Sequence, residues 1–153
     1  MPYLLNMGGY QAVVADSQII MSWADQREHR RIYLDGRRHP DEQLEQRYNG
    51  FSIAHWDGET MVVETTNIRG SNTQIEPHIP KAEGSYIIER YTPTSPGRFN
   101  LEMTMMNPDF TRPWVVHLTL ARDPARTPPE ALCSDKKPNG YPIPAPAPAE
   151  IER

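Results

Sequence analysis

The feature that most constrains the fold of this chain is a series of short runs rich in β-branched and aromatic residues. Turn residues separate eight such runs at spacings of roughly ten residues, a pattern typical of β-strands joined by short loops. The runs are Tyr10–Ala15, Gln18–Trp23, Arg30–Leu34, Phe51–Trp56, Met61–Thr66, Tyr86–Thr92, Arg98–Met106 and Trp114–Ala121. No helices alternate with them, which excludes a Rossmann or TIM architecture.

Three segments between the runs carry further local signals. Asp57-Gly58 predicts a tight hairpin turn, because glycine supplies a positive φ and apolar runs flank the pair. Pro40–Arg47 predicts a helix of one or two turns, with proline early and acidic residues near the N-terminal dipole. Arg69–Gly84 is polar, contains two prolines and predicts a long loop.

Together these patterns predict an all-β fold. About eight strands in meander order favour an antiparallel barrel of lipocalin-like type, with a two-layer β-sandwich as the alternative. A length of 153 residues fits one domain. Eight of the 16 prolines lie between Pro124 and Pro148. Residues 1–123 are therefore the predicted barrel domain, and residues 124–153 a Pro-rich C-terminal strap or tail.

Charge and composition exclude several classes of partner. Sixteen Lys+Arg against 20 Asp+Glu give a net charge of −4, so the chain lacks the broad basic surface that nucleic acids and anionic lipids require. No run approaches the roughly 18 apolar residues of a membrane span. No signal peptide is visible at Met1–Tyr10. Cys133 is the single cysteine, so the sequence predicts no internal disulfide.

Four ordered motifs resemble those of a known family. They are RRIYLDGRRHP at Arg30–Pro40, GFSIAHWDGETMVVETTNI at Gly50–Ile68, IIERY at Ile87–Tyr91 and NPDFTRPW at Asn107–Trp114. They resemble an uncharacterised family of small, usually exported bacterial proteins with RRIYxDGRxHP, WxGDTLVVET, ER and TRPW motifs. The resemblance marks motif positions without assigning an activity. It leaves the localisation open, because the family is usually exported to the periplasm whereas no signal peptide is visible in this chain. One departure is Phe51, which stands where the family has a histidine.

The alternation of polar residues within and after the strands indicates where chemistry could lie. Asp35, Arg37 and His39 fall on alternate positions after a strand, so an extended chain places them on one side. A histidine held by a carboxylate can transfer protons, and a neighbouring arginine can hold an anionic substrate. Glu89 and Arg90 lie mid-strand on opposite faces, and a charge that faces a barrel interior needs a partner. We expect His39 or His55 to be the partner of Glu89.

The candidate site residues fall into two groups, and no cofactor is expected. The predicted catalytic residues are His39, Asp35, Glu89 and His55. The predicted substrate-binding residues are Arg37, Tyr33, Trp56, Glu64, His78, Arg90, Tyr91 and Arg112. A metal site is not predicted, because no two histidines show the close spacing of zinc ligands.

These residues favour a cofactor-independent acid–base enzyme of lyase, isomerase or hydratase type, acting on a small, partly apolar molecule in a barrel cavity. The alternative is a lipocalin-like binding protein in which the same polar groups only orient a ligand. A third hypothesis is an interaction module whose Pro-rich tail contacts a partner. The expected partners are a small-molecule ligand or substrate and a second copy of the chain in a homodimer, with no nucleic acid and no membrane.

Overall fold

A computed structural model describes residues 10–23, 29–41, 46–76 and 79–125. In this part of the chain the protein is all-β and contains no helix. The strands are β1 (Tyr10–Ala15), β2 (Gln18–Trp23), β3 (His29–Tyr33), β4 (Phe51–Asp57), β5 (Thr60–Thr66), β6 (Ser71–Glu76), β7 (Ile79–Lys81), β8 (Tyr86–Ser95), β9 (Arg98–Met106) and β10 (Trp114–Ala121).

Eight of these strands form one sheet curled into a half-barrel, in the order β1-β2-β3-β4-β5-β8-β9-β10. The all-β, barrel-like fold predicted from the sequence is confirmed, and each of the eight predicted runs becomes a strand of this sheet. Tight turns join several neighbours, and Gly58 has a φ of 61° in the β4–β5 hairpin, where its positive φ was expected. In this hairpin Asp57 pairs with Thr60, so the turn between the two strands consists of Gly58 and Glu59.

One pairing departs from the predicted antiparallel order. β3 and β4 are parallel, with Ile32 opposite Ser52 and Tyr33 opposite Ile53. A parallel pair requires a long connection that returns the chain to the same end of the sheet, and residues 34–50 provide it. Within this crossover segment, His39 lies against the outer side of the half-barrel, where it contacts Phe51 and Thr66.

The core lies on the concave face, where alternate residues of each strand point inward. Its larger cluster comprises Met21, Trp23, Ile32, Ala54, Val63, Tyr91 and Leu101. A second cluster comprises Ile68, Ile87, Met103 and Met105. Leu118 and Leu120 of β10 pack against the cluster that holds Met21 and Trp23 of β2, so the curl brings the side chains of distant strands together.

Two predictions about connecting segments have different outcomes. The loop predicted over Arg69–Gly84 is wrong, because β6 and β7 form a separate two-stranded antiparallel sheet within it. The helix predicted over Pro40–Arg47 falls partly on residues 42–45, outside the described residues. Pro40, Asp41 and Gln46 are not helical, and Arg47 forms a parallel bridge with Ile68. Of the predicted tail, residues 126–153 also lie outside the described residues.

Candidate functional site

The interior of the half-barrel contains a buried ion pair between Arg30 and Glu89. Arg30 is 1% exposed and Glu89 0%. The guanidinium donates from Nη1 to Glu89 Oε1 at 3.0 Å and from Nη2 to Glu89 Oε2. It also donates to the hydroxyls of Ser52 (3.2 Å) and Thr65 (2.8 Å). The Tyr91 hydroxyl donates to Glu89 Oε1 at 2.8 Å. Both charges are therefore hydrogen-bonded, as a buried ion pair requires.

This network corrects the expectation that a histidine is the partner of Glu89. Strand parity places Glu89 inward, as anticipated for one of the two mid-strand charges, but its partner is Arg30 of β3. Val63 and Met103 lie opposite Glu89 on the neighbouring strands β5 and β9, and both are 0% exposed, as is Ile87 two residues before Glu89. Burial raises the pKa of the Tyr91 hydroxyl well above its usual value, and the charge of Glu89 adds to this. Glu89 and Tyr91 thus lie in the packed interior of the half-barrel.

The other polar cluster lies on the outer face of β3, β4 and β5, under the crossover segment. His39 packs edge-on against the Phe51 ring, with centroids 6.0 Å apart and planes at 69°. Its Nδ1 lies 2.9 Å from Thr66 Oγ1, and its Nε2 lies 3.8 Å from Glu64 Oε2. His39 thus lies beside a carboxylate, as the sequence led us to expect for a catalytic histidine, but on the outside of the half-barrel.

A chain of hydrogen bonds fixes the tautomer of His39. Asn67 Nδ2 donates to the Pro40 carbonyl at 3.2 Å, which turns Asn67 Oδ1 toward Thr66. The Thr66 hydroxyl donates its single proton to that Oδ1. Thr66 Oγ1 must therefore accept from His39, so Nδ1 carries the proton. The neutral imidazole consequently has its basic nitrogen, Nε2, on the side of Glu64.

The backbone conformation of Asn67 positions its side chain in this series of hydrogen bonds. This residue is 3% exposed and has a φ of 55°, the only positive φ among the described residues other than glycine. Asparagine tolerates this left-handed conformation better than most residues. Non-glycine residues in this region recur at functional sites, where the surrounding structure maintains them.

Glu64 also contacts Tyr86, its neighbour on β8. The Tyr86 hydroxyl forms a hydrogen bond with the Glu64 carboxylate, and burial followed by the charge of Glu64 raises the pKa of Tyr86. Tyr86 therefore keeps its proton at neutral pH and donates it toward Glu64. The carboxylate thus has a phenol on one side and the imidazole of His39 on the other. The Glu64 side chain is 32% exposed, whereas that of His39 is 21% exposed.

Asp35 and Arg37 are paired with each other rather than with His39. Arg37 Nε donates to Asp35 Oδ1 at 2.8 Å, and its guanidinium lies 3.7 Å from the centroid of the Tyr33 ring. The hydrogen bond from Arg37 lowers the pKa of Asp35 to about 2. Asp35 therefore stays ionised near neutral pH and is unsuited to proton transfer.

The remaining predicted site residues are scattered. His55 and Trp56 are exposed near the β4–β5 hairpin, Arg90 donates to Asp57 at 2.7 Å, and Arg112 is exposed. His78 lies outside the described residues. The structure thus brings His39 and Glu64 together on the outer face, with Tyr33 and Arg37 nearby, and separates them from Glu89 and Tyr91 inside.

Six residues whose side chains belong to these networks were not predicted as site residues: Arg30, Ser52, Thr65, Thr66, Asn67 and Tyr86. Arg30 and Thr66 lie in strands whose register cannot be known from the sequence alone, so nothing marked their partners. Asn67 follows a strand directly, and an asparagine in that position is a signal for left-handed backbone that could have been used.

Two other kinds of feature are absent from the described residues. There, no group of three His, Cys, Asp or Glu side chains is arranged to hold a metal ion. Over the same part of the chain, no helix has the length and apolar character needed to cross a membrane. No protein-family model, curated protein or solved structure matches the chain.

Proposed function

We propose that the protein is a cofactor-independent acid–base enzyme in which Glu64 exchanges a proton with a small substrate and His39 assists from behind it. The observation that supports this proposal is the fixed tautomer of His39, which directs Nε2 to Glu64 Oε2 at 3.8 Å. A carboxylate next to a histidine is a common arrangement for moving protons near neutral pH.

Exposure assigns the roles of the two groups. Nε2 of His39 is almost inaccessible to solvent, with under 1 Å² of surface, whereas about a third of the Glu64 side chain is exposed. The carboxylate is therefore the group that a substrate meets. When Glu64 takes a proton from the substrate, the resulting carboxylic acid can pass that proton to the neutral Nε2, and the imidazolium returns a proton through the carboxylate when one is delivered to the substrate. Tyr86 donates a hydrogen bond to the same carboxylate.

Elimination, isomerisation and hydration are the reaction classes that suit this arrangement, because each needs one proton removed and one delivered without a redox step. A lipocalin-type binding site is less favoured, because such a site lies inside the barrel. In this protein Val63, Ile87 and Met103, together with the Arg30–Glu89 pair, fill the interior between β3 and β9.

The proposal can be tested with a probe substrate that needs only a base. 5-Nitro-1,2-benzisoxazole loses its C3 proton to a base, its N–O bond breaks, and a coloured phenolate forms. We expect wild-type protein to accelerate this reaction, and Glu64→Gln to reduce the rate by about 10²-fold or more. His39→Asn retains a donor toward Thr66 but removes Nε2, so we expect an intermediate loss.

A second His–Glu pair provides the matched control. His117 Nδ1 lies 3.8 Å from Glu102 Oε2, the same separation, but these side chains are 71% and 49% exposed. Glu102→Gln and His117→Asn should leave the rate unchanged. The proposal is overturned if wild type is no faster than Glu64→Gln, or if the two glutamate variants lose equal activity.

A further inference from the structure

Glu64 lies in a row of outward-facing side chains that crosses three neighbouring strands of the sheet. The register places Ile53 of β4 directly opposite Glu64 on one side, and Ile88 of β8 directly opposite on the other. Directly opposite residues of antiparallel strands have Cβ atoms about 5 Å apart. Both isoleucines are partly exposed, so two apolar side chains that a ligand can reach flank the carboxylate. The surface around the proposed base therefore suits the apolar part of a small molecule.

Tyr86 adds a proton donor to this row. It precedes Ile88 by two residues, so strand alternation puts its side chain on the same outer face, one step along β8 from the position opposite Glu64. Its hydroxyl hydrogen-bonds the Glu64 carboxylate, and the residue is partly exposed. A proton acceptor and a proton donor thus lie in contact with each other on the outer face.

The contact between these two groups matches the dimensions of an enolisable carbonyl compound. Removing a proton from the carbon next to a carbonyl moves negative charge onto the carbonyl oxygen. That carbon and that oxygen are about 2.4 Å apart, given bond lengths of about 1.5 and 1.2 Å. Two oxygens joined by a hydrogen bond are about 2.7 Å apart. One molecule can therefore present its C–H group to Glu64 and its carbonyl oxygen to Tyr86 at the same time.

The acidity of Tyr86 distinguishes among elimination, hydration and isomerisation. Burial and the charge of Glu64 raise the pKa of its hydroxyl, so this hydroxyl keeps its proton at neutral pH and donates it in a hydrogen bond. Such a donor suits an enolate oxygen, which gains charge in the first step and loses it in the second. Elimination of water instead needs a full proton delivered to the departing oxygen, and hydration is its reverse. Isomerisation through an enolate is therefore the class that fits best.

We propose that the substrate of this site is a small enolisable ketone or aldehyde with an apolar body, and that Tyr86 is a second catalytic residue beside Glu64. The proposal rests on the proposed function, because it takes Glu64 as the base. The Glu64 carboxylate takes the proton next to the carbonyl, and the electron pair of that C–H bond forms the C=C bond of an enolate. The Tyr86 hydroxyl then donates to the enolate oxygen instead of to the neutral carboxyl group. Finally, a proton returns from Glu64 to the same or a conjugated carbon, and the carbonyl re-forms.

The isomerisation of cyclohex-3-en-1-one tests the proposal. A proton leaves C2 and one returns at C4, and the conjugated product, cyclohex-2-en-1-one, is followed by its ultraviolet absorbance. We expect wild-type protein to accelerate this reaction and Glu64→Gln to remove most of the acceleration. Tyr86→Phe should lower kcat about 10²-fold, the usual effect of removing one donor to an oxyanion. Tyr10→Phe, which removes a hydroxyl from a tyrosine packed against the inner cluster, is the control and should react as wild type does.

The benzisoxazole reaction separates catalysis by Tyr86 from a structural role. Its product is a nitro-substituted phenolate, a weak base, so a hydrogen bond to that oxygen contributes little, whereas an enolate is a strong base and depends on the donor. Tyr86→Phe should therefore lower the benzisoxazole rate by less than about threefold. A variant that merely misplaces Glu64 would slow both reactions by the same factor.

The two isoleucines provide a test of the apolar part of the substrate. Ile53→Thr and Ile88→Thr keep a β-branched residue in the strand but replace apolar atoms with a hydroxyl. Each should raise the KM for cyclohex-3-en-1-one about threefold or more with little change in kcat, because an apolar contact is made equally in the ground state and the transition state.

Three results overturn the proposal and leave the base role of Glu64 intact: wild type accelerates the benzisoxazole reaction but not the isomerisation, Tyr86→Phe slows both reactions equally, or neither isoleucine variant changes KM. If wild type accelerates neither reaction, or Glu64→Gln slows neither, the proposed function fails and this proposal fails with it. The two kinds of failure are therefore distinguishable.

Discussion

Removing one member of the Arg30–Glu89 pair should destabilise the protein far more than removing both. In Arg30→Met the fully buried Glu89 loses both guanidinium donors and retains the hydroxyl of Tyr91. Breaking a buried pair in this way costs about 3–5 kcal/mol, because a desolvated charge is left uncompensated. Ser52 and Thr65 add little to this loss, since their hydroxyls lie 2.9 Å apart and hydrogen-bond each other.

The reverse change, Glu89→Leu, leaves the Arg30 guanidinium buried with only the Ser52 and Thr65 hydroxyls, and we expect a loss of the same size. In the double variant Arg30→Met/Glu89→Leu no charge remains. Its main cost is the Tyr91 hydroxyl left without its acceptor, about 1–3 kcal/mol. The double variant should therefore be more stable than either single variant.

Urea denaturation followed by tryptophan fluorescence measures these free energies of unfolding, since Trp23 is buried, at 5% exposure. Arg31→Met is the matched control, because Arg31 neighbours Arg30 on β3 but is exposed, and it should change stability by less than about 0.5 kcal/mol. Tyr91→Phe removes one hydrogen bond to a charged group and should cost about 1.5–3 kcal/mol, which gives a readout if the single variants do not fold. Additive losses in the double variant, or single losses below about 1 kcal/mol, would refute the reasoning.

Three further predictions follow from the same structure. The pKa of Asp35 in the folded protein is about 2, below its ordinary value of 3.8. The Asp35–Arg37 pair should therefore stabilise the fold above pH 3.8 and lose that effect as the pH falls toward 2. The carboxyl NMR shift of Asp35 should titrate with a midpoint near 2, and Arg37→Gln should return this midpoint to the ordinary value. Burial raises the pKa values of Tyr10, Tyr86 and Tyr91, so unfolding releases protons above pH 10. The free energy of unfolding should fall there by up to about 1.4 kcal/mol per pH unit for each tyrosine. Thermal melts at pH 9 to 11 measure this, and a melting temperature that does not change would contradict it. Asn67→Ala should cost about 1–2 kcal/mol or more in chemical denaturation, because alanine is strained at a φ of 55° and loses the bond to Pro40, whereas Asn67→Gly should cost less if strain is the larger part.

The strands were readable from the sequence because their signals are local. β-Branched and aromatic runs such as Met61–Thr66, and the Asp57-Gly58 turn, need no distant contact to favour a strand or a hairpin. Strand parity also predicted that Glu89 and Arg90 would face opposite sides. The segment Arg69–Gly84 predicts a loop because its two prolines and many polar residues are rare in strands. It nevertheless contains β6 and β7.

The candidate site depended on the tertiary structure, because it is made by pairings between residues far apart in sequence. Nothing local states that Arg30 lies against Glu89, 59 positions later, or that β3 and β4 pair in parallel. That pairing brings His39 of the crossover segment against Glu64 on the outer face. Side-chain alternation determines which residues share a face of a strand, but only the register between strands determines which of them meet.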